Sequence, residues 1–115
     1  MSDEVKIASG RGAYRLRLAG APELSGQALL LPLVMEHQDG LERVGLICRV
    51  TAAGAGLPDH NSLLSAFQER DSRALCEFLR PIAARLEQNF EQLREAALKS
   101  LRTERRPLQI NLDEP

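Results

Sequence analysis

The sequence predicts a mainly β fold with a C-terminal α part, and three observations carry that expectation. Up to Ala53 the apolar residues alternate with a period near two. An Asp39-Gly40 pair sits between two runs whose apolar positions match when the chain folds back on itself there. From Ser72 to about Arg106 the apolar residues recur every three or four positions, as on one face of a helix.

In chain order, Val5 and Ile7 suggest a first strand, and Ser9-Gly10-Arg11-Gly12 a turn. Tyr14, Leu16 and Leu18 then alternate with Arg15 and Arg17 in a second strand. Ala19 to Gln27 contains Gly20, Pro22 and Gly26 and reads as a loop. Asp39-Gly40 favours a type I′ two-residue hairpin, which would pair Met35 with Val44, Leu33 with Leu46, Leu31 with Cys48 and Leu29 with Val50. That register makes one face apolar throughout and sets Glu36 against Arg43 on the other. The second face also carries Leu30, Pro32, Val34 and Ile47 beside Arg49, too apolar for an open solvated surface, so the sheet is expected to curl or be covered.

Asn61 to Gln68 suits a helix through Leu63, Leu64 and Phe67, yet its short length between breakers also suits a strand. Asp71 or Ser72 makes a good N-cap for the helical pattern beyond it. Pro81 falls inside the pattern, and an interior proline costs about 3 kcal/mol and bends a helix. The expectation is a short helix and then a long one, or one kinked rod. As a rod, Ser72 to Arg106 would be roughly 50 Å long against a domain on the order of 30 Å across. After Pro107 the segment Leu108 to Leu112 alternates again before an acidic end, which suits an added edge strand and a frayed tail equally.

Leu79, Leu86 and Leu93 are spaced seven apart, and Leu75, Leu86 and Ala97 eleven apart. The stripe is wide, which favours a bundle of several helices over a two-stranded coil. Leu75 to Leu86 is assigned to the chain's own domain, and Phe90 to Leu101 to neighbouring chains. A homo-oligomer, expected to be a tetramer, would then use Leu79, Ile82, Leu86, Phe90, Leu93, Ala97 and Leu101. Glu87, Gln88, Glu91, Glu95 and Lys99 fall on the opposite, solvated face.

Composition narrows the functions. The chain has 115 residues, 43% of them apolar, which suits one domain with a modest core. A net charge of -1 gives no overall field for nucleic acid or anionic lipid, and three Phe, one Tyr and no Trp leave few rings for base stacking. No apolar run approaches the length of a membrane span and no leader is evident, so a cytoplasmic protein without membrane insertion is expected. Cys48 and Cys76 read as buried thiols, and His37 and His60 share no ligand spacing with a cysteine or carboxylate pair, so neither metal nor cofactor is expected. No nucleophile, base and orienting group stand at a recognisable spacing, so the chain is not read as an enzyme.

Residues 5 to 83 resemble a PilZ domain, the small bacterial β-barrel family best known for sensing cyclic di-GMP. Ile7-Ala8-Ser9-Gly10-Arg11-Gly12, followed by Tyr14 to Leu18, matches that family's Asp/Asn-x-Ser-x-x-Gly turn running into an Arg-Leu-rich strand. Gly26 to Leu33 and Gly45 to Thr51 are similar to two further family strands, and Ala66 to Asp71 with Leu75, Phe78 and Leu79 to the strand and helix that close the barrel. The resemblance implies that Leu63 to Gln68 is a strand. It also implies a PilZ-like antiparallel β-barrel with its first helix over 1–80, a long amphipathic oligomerisation helix over 81–106 and a tail over 107–115.

The family clasps its ligand with an Arg-x-x-x-Arg motif upstream of the serine turn, where two guanidiniums hold phosphates and stack on guanine. Eight residues precede Ser9 here and none is arginine, and the acidic or amide position of the turn is Ile7. Ser9 and Gly12 remain as motif remnants. Arg11 with Arg15, and Arg102 with Arg106, satisfy the spacing by letter only, the first inside the turn and strand and the second at a helix end. The expected function is therefore a degenerate PilZ protein that does not bind cyclic di-GMP and acts as an oligomeric interaction module with another protein. Bacterial motility, pili, biofilm or virulence signalling is the setting that the resemblance implies. The alternative is an effector that binds the dinucleotide through unusual arginines such as Arg15 or Arg17.

Overall fold

A computed structural model gives the fold, and it describes residues 4–51 and 60–111, with nothing to say of the His60 side chain. Among the described residues six strands form one sheet. Strands β1 (Val5–Ser9) and β2 (Gly12–Leu18) make an antiparallel hairpin about the glycine-rich turn. Strand β4 (Ala28–His37) pairs antiparallel with β2, with the short β3 (Glu23–Ser25) and with β5 (Arg43–Thr51). The last strand, β6 (Leu108–Asn111), lies parallel to β5.

The β4–β5 register is the one the sequence predicts: Met35 faces Val44, Leu33 faces Leu46, Leu31 faces Cys48, Leu29 faces Val50 and Glu36 faces Arg43. The turn differs in form. His37 and Glu42 still bond across the ladder, the His37 N–H donating to the Glu42 carbonyl at 2.9 Å, and of the turn residues only Gly40 is left-handed (φ 76). A type I′ turn would need Asp39 left-handed as well. Instead the Asp39 carboxylate accepts the Leu41 N–H at 2.8 Å, closing a local ring that holds a longer loop without shifting the pairing. The loop expected over Ala19 to Gln27 likewise contains β3, whose three residues pair with β4 through the tight bend at Gly26 (φ 63).

The three helices of the described residues cover one face of the sheet. Helix α1 (His60–Glu69) stands where the resemblance implies a closing strand. Leu63 and Ala66 are buried one turn apart, a helical spacing that a two-residue period cannot bury together. The helix ends with Arg70 left-handed (φ 54), the Arg70 N–H bonding the Phe67 carbonyl and the Asp71 N–H the Ala66 carbonyl. That is a Schellman motif built without glycine. Asp71 then caps helix α2 (Ser72–Gln88), its carboxylate accepting the Ala74 N–H at 3.2 Å.

The expected long rod is broken, and not at proline. Pro81 lies inside α2, which runs on to Gln88, with Leu79, Ile82 and Ala83 buried around it. Asn89 (φ -134, ψ 41) ends α2 and begins helix α3 (Phe90–Thr103). The chain thereby stays over its own sheet, and its principal extents are 33 × 31 × 24 Å, well short of the rod. One hydrophobic cluster runs through the strands and all three helices, from Ile7 to Ala97. Strands β1 and β6 are the edges of the sheet and do not pair with each other among the described residues, so the expected barrel is not closed. The order is mixed rather than purely antiparallel because α3 carries the chain back alongside β5.

Of the alternating tail, Leu108 to Asn111 is the edge strand within its own chain, and Leu112 with the acidic end lies outside the described residues.

Candidate functional site

The motif remnants lie in the β1–β2 turn, and their groups satisfy one another. The Ser9 hydroxyl donates to the Gly12 carbonyl at 2.7 Å and accepts the Arg11 N–H at 3.1 Å. Gly12 has φ +114, and a Cβ there would stand 2.8 Å from Gln38 Nε2 and 3.0 Å from His37 Nε2. Glycine is thus needed for the backbone angle and for the approach of the β4–β5 loop. Ile7 is fully buried in the core rather than presented at the turn.

The helices bring acid to the same place. The end of α2 sets Glu87 against the sheet edge, its Oε1 accepting the Ala8 N–H at 2.8 Å. Glu91, in the first turn of α3, pairs with Arg11 through Nε at 3.0 Å. Both contacts are exposed, and an exposed ion pair such as Arg11–Glu91 holds little stability. A shallow hollow of about 350 Å³ at the turn is lined by Ser9, Gly10, Glu87, Phe90 and Glu91 among others. Arg15 does not reach it but pairs with Glu36 at 2.7 Å and lies 3.7 Å from Glu4. Arg102 lies at the end of α3 and Arg106 beyond it, where Arg106 pairs with Glu104.

Beside the turn stands a polar cluster that joins β2, the β4–β5 loop and α3. The Tyr14 ring meets Phe90 at 4.7 Å between centroids and His37 edge-on at 5.0 Å. The Tyr14 hydroxyl donates to Glu42 Oε1 at 2.6 Å, and Arg94 grips the same carboxylate with Nε at 2.7 Å and Nη2 at 2.6 Å. Arg94 and then Tyr14 hold the Glu42 carboxyl down to about 2 against the opposing effect of burial. Burial first, and Glu42 next, raise the Tyr14 phenol, which therefore stays protonated. His37 Nε2 meets the Arg11 carbonyl at 2.7 Å, while Nδ1 lies 3.2 Å from the Asp39 N–H and 2.8 Å from Asp39 Oδ1. The Arg11 carbonyl and then Asp39 raise the His37 pKa. These bonds fasten the turn, the loop and α3 together.

Most of the stripe assigned to an oligomer interface is consumed within the chain. Leu79, Ile82, Leu86, Phe90 and Ala97 are buried in the core, with Leu93 and Leu101 half-buried. The expected overhang past Leu86 does not exist, because the bend at Asn89 lays α3 on β5 and β6. Asn89 followed by Gln92 matches a helix-start pattern in the sequence, although the Asn89 side chain makes no capping hydrogen bond and only its non-helical backbone marks the break.

The face turned away from the helices was expected to be covered unless the sheet curled, and no described helix covers it. Arg17 stands across from Val34 and Val34 from Gly45; Pro32 faces Ile47; Leu30 faces Arg49. Leu30, Pro32 and Ile47 are half-buried, and Val34 is 9% exposed, sheltered by its flanking strands. A depression of about 350 Å³ opens between Arg17 and Arg43, with Val34 and Gly45 in its lining.

Among the described residues no three His, Cys, Asp or Glu side chains are placed to hold a metal ion, and no helix is long and apolar enough to cross a membrane. No family model, curated protein or solved structure matches the chain.

Proposed function

We propose that this chain is a non-catalytic protein-interaction module, a degenerate PilZ-like protein whose serine turn does not take cyclic di-GMP. The observation that carries this reading is the pair of carboxylates, Glu87 and Glu91, set over the Ser9–Gly12 turn. A dinucleotide with two phosphates would meet negative charge there, and Arg11 is already matched to Glu91. The buried Ile7 adds to this, since it has neither the position nor the chemistry to accept a hydrogen bond from a guanine edge.

Isothermal calorimetry with cyclic di-GMP tests it: no heat of binding is expected, and micromolar affinity would overturn it. The competing reading, binding through Arg15 or Arg17, draws on Arg17, which has no carboxylate partner among the described residues. Binding that disappears in Arg17→Ala would establish that alternative. Bacterial motility, pili, biofilm or virulence signalling, in the cytoplasm, is the setting we propose with the module, on the family resemblance alone.

Self-association through the helices is proposed only for the part of the stripe left half-buried, Leu93 and Leu101. Light scattering at the mass of one 12.7 kDa chain would remove it.

A further inference from the structure

We propose that the helix-free face of the sheet is a docking site for an acidic, apolar segment of a partner protein, with carboxylates seated against Arg17 and Arg49. This rests on the interaction-module reading above and names the surface and the chemistry of the partner. Five basic side chains share this face through the strand register: Lys6, Arg15, Arg17, Arg43 and Arg49. Two carboxylates accompany them in that register, Glu23 and Glu36; Glu36 is already taken by Arg15 and Arg43, and Glu4, the residue before β1, lies 3.7 Å from Arg15. A chain of net charge -1 therefore concentrates positive charge on one face.

Between the cations runs an apolar strip of Leu30, Pro32, Val34 and Ile47. Arg17 and Arg49 flank it on strands β2 and β5 and have no ion-pair partner among the described residues. The depression beside Arg17 is open because Gly45 has no side chain: the nearest heavy atom to a Cβ built there is the Leu33 carbonyl oxygen at 4.0 Å. Guanidiniums flanking an apolar floor match a carboxylate next to a leucine-like side chain. A second copy of this face would set cation against cation. A nucleic-acid strand would find phosphate partners but no ring to stack on, because Tyr14 and the described Phe side chains lie on the helix side.

The test uses the full chain and a fluorescein-labelled peptide of alternating leucine and glutamate, read by anisotropy at low salt. Saturable binding is expected, weakened about tenfold by Arg17→Ala with Arg49→Ala, the size of losing charged hydrogen bonds. Gly45→Val should also abolish most of the binding by filling the depression. Its Cβ meets no clash and valine suits a strand, so the fold should be retained, as checked by circular dichroism. Arg73→Ala with Arg80→Ala, on the helix side, should leave affinity unchanged. Failure of the wild type to bind the acidic peptide, or equal losses in the helix-side variant, would overturn the proposal. Tighter binding of an oligothymidylate or of phosphatidylserine vesicles than of the peptide would overturn it too. None of these outcomes touches the cyclic di-GMP experiment, so a failed face and a failed module reading are told apart.

Discussion

Arg94 on α3 and Glu42 in the β4–β5 loop meet through two bonds, of 2.7 and 2.6 Å, while the Tyr14 hydroxyl holds the first of those carboxylate oxygens from below. The Arg94 side chain is 13% exposed and that of Glu42 28%, so the pair is shielded more than any other among the described residues. Arg94→Ala would leave a partly buried carboxylate with one donor, and is expected to cost about 2 to 3 kcal/mol. Urea unfolding of the two single variants and the double variant would measure the coupling. The Glu42 pKa is depressed, so its contribution is present above the ordinary carboxylate range and lost as pH falls toward about 2. Glu42→Gln should flatten that acid limb.

His37 gives the opposite sign. Its pKa is raised by the Arg11 carbonyl and by Asp39, so the contribution is full below the unfolded value of about 6.5 and is lost as pH rises through the folded value. With Nδ1 protonated, the ring donates to Asp39 Oδ1; neutral, it accepts the Asp39 N–H. Unfolding midpoints should therefore decline from mildly acidic to mildly alkaline pH in the wild type and less steeply in His37→Asn. Equal slopes would dismiss the coupling.

Phe90 separates a core role from an interface role. It is 4% exposed, packed against Tyr14, so Phe90→Asp is expected to destabilise the monomer by at least about 3 kcal/mol. An interface residue would instead dissociate an assembly and leave the chain folded. Thermal unfolding combined with light scattering distinguishes the two, and a stable Phe90→Asp protein would return the stripe to the surface.

The two glycines of the first turn should differ sharply. Gly12→Ala is expected to cost about 1 to 3 kcal/mol, because its φ of +114 is strained for alanine and the Cβ would press on Gln38 and His37. Gly10 has ordinary backbone angles and nothing within 4 Å of a Cβ, so Gly10→Ala should be neutral or slightly stabilising in the same assay.

The β half was legible because its signals are local. Alternation placed β1, β2, β4 and β5, and matching the apolar positions about Asp39-Gly40 fixed the β4–β5 pairing residue by residue. Leu63 to Gln68 was not legible, since a short apolar run between breakers satisfies either period, and its helix is decided by which face of Leu63 and Ala66 meets the core. The fate of the stripe was hidden for a different reason. Phe90 and Ala97 show the same spacing whether they bury against another chain or against their own sheet, and the break in the helix at Asn89 is what turns them inward. The polar cluster was invisible because Tyr14, Glu42 and Arg94 are far apart in sequence and follow no motif.

The β1 edge of the sheet carries a safeguard in its contacts with α2. Glu87 occupies the Ala8 N–H and the Cys76 thiol donates to the Glu4 carbonyl at 3.5 Å, so two backbone groups that would otherwise invite a foreign strand are already occupied. Intermolecular β-extension, and with it fibrillar aggregation, is disfavoured from this side of the molecule as long as α2 stays docked. Resistance to aggregation is thereby tied to a helix rather than to the charge of the strand it guards.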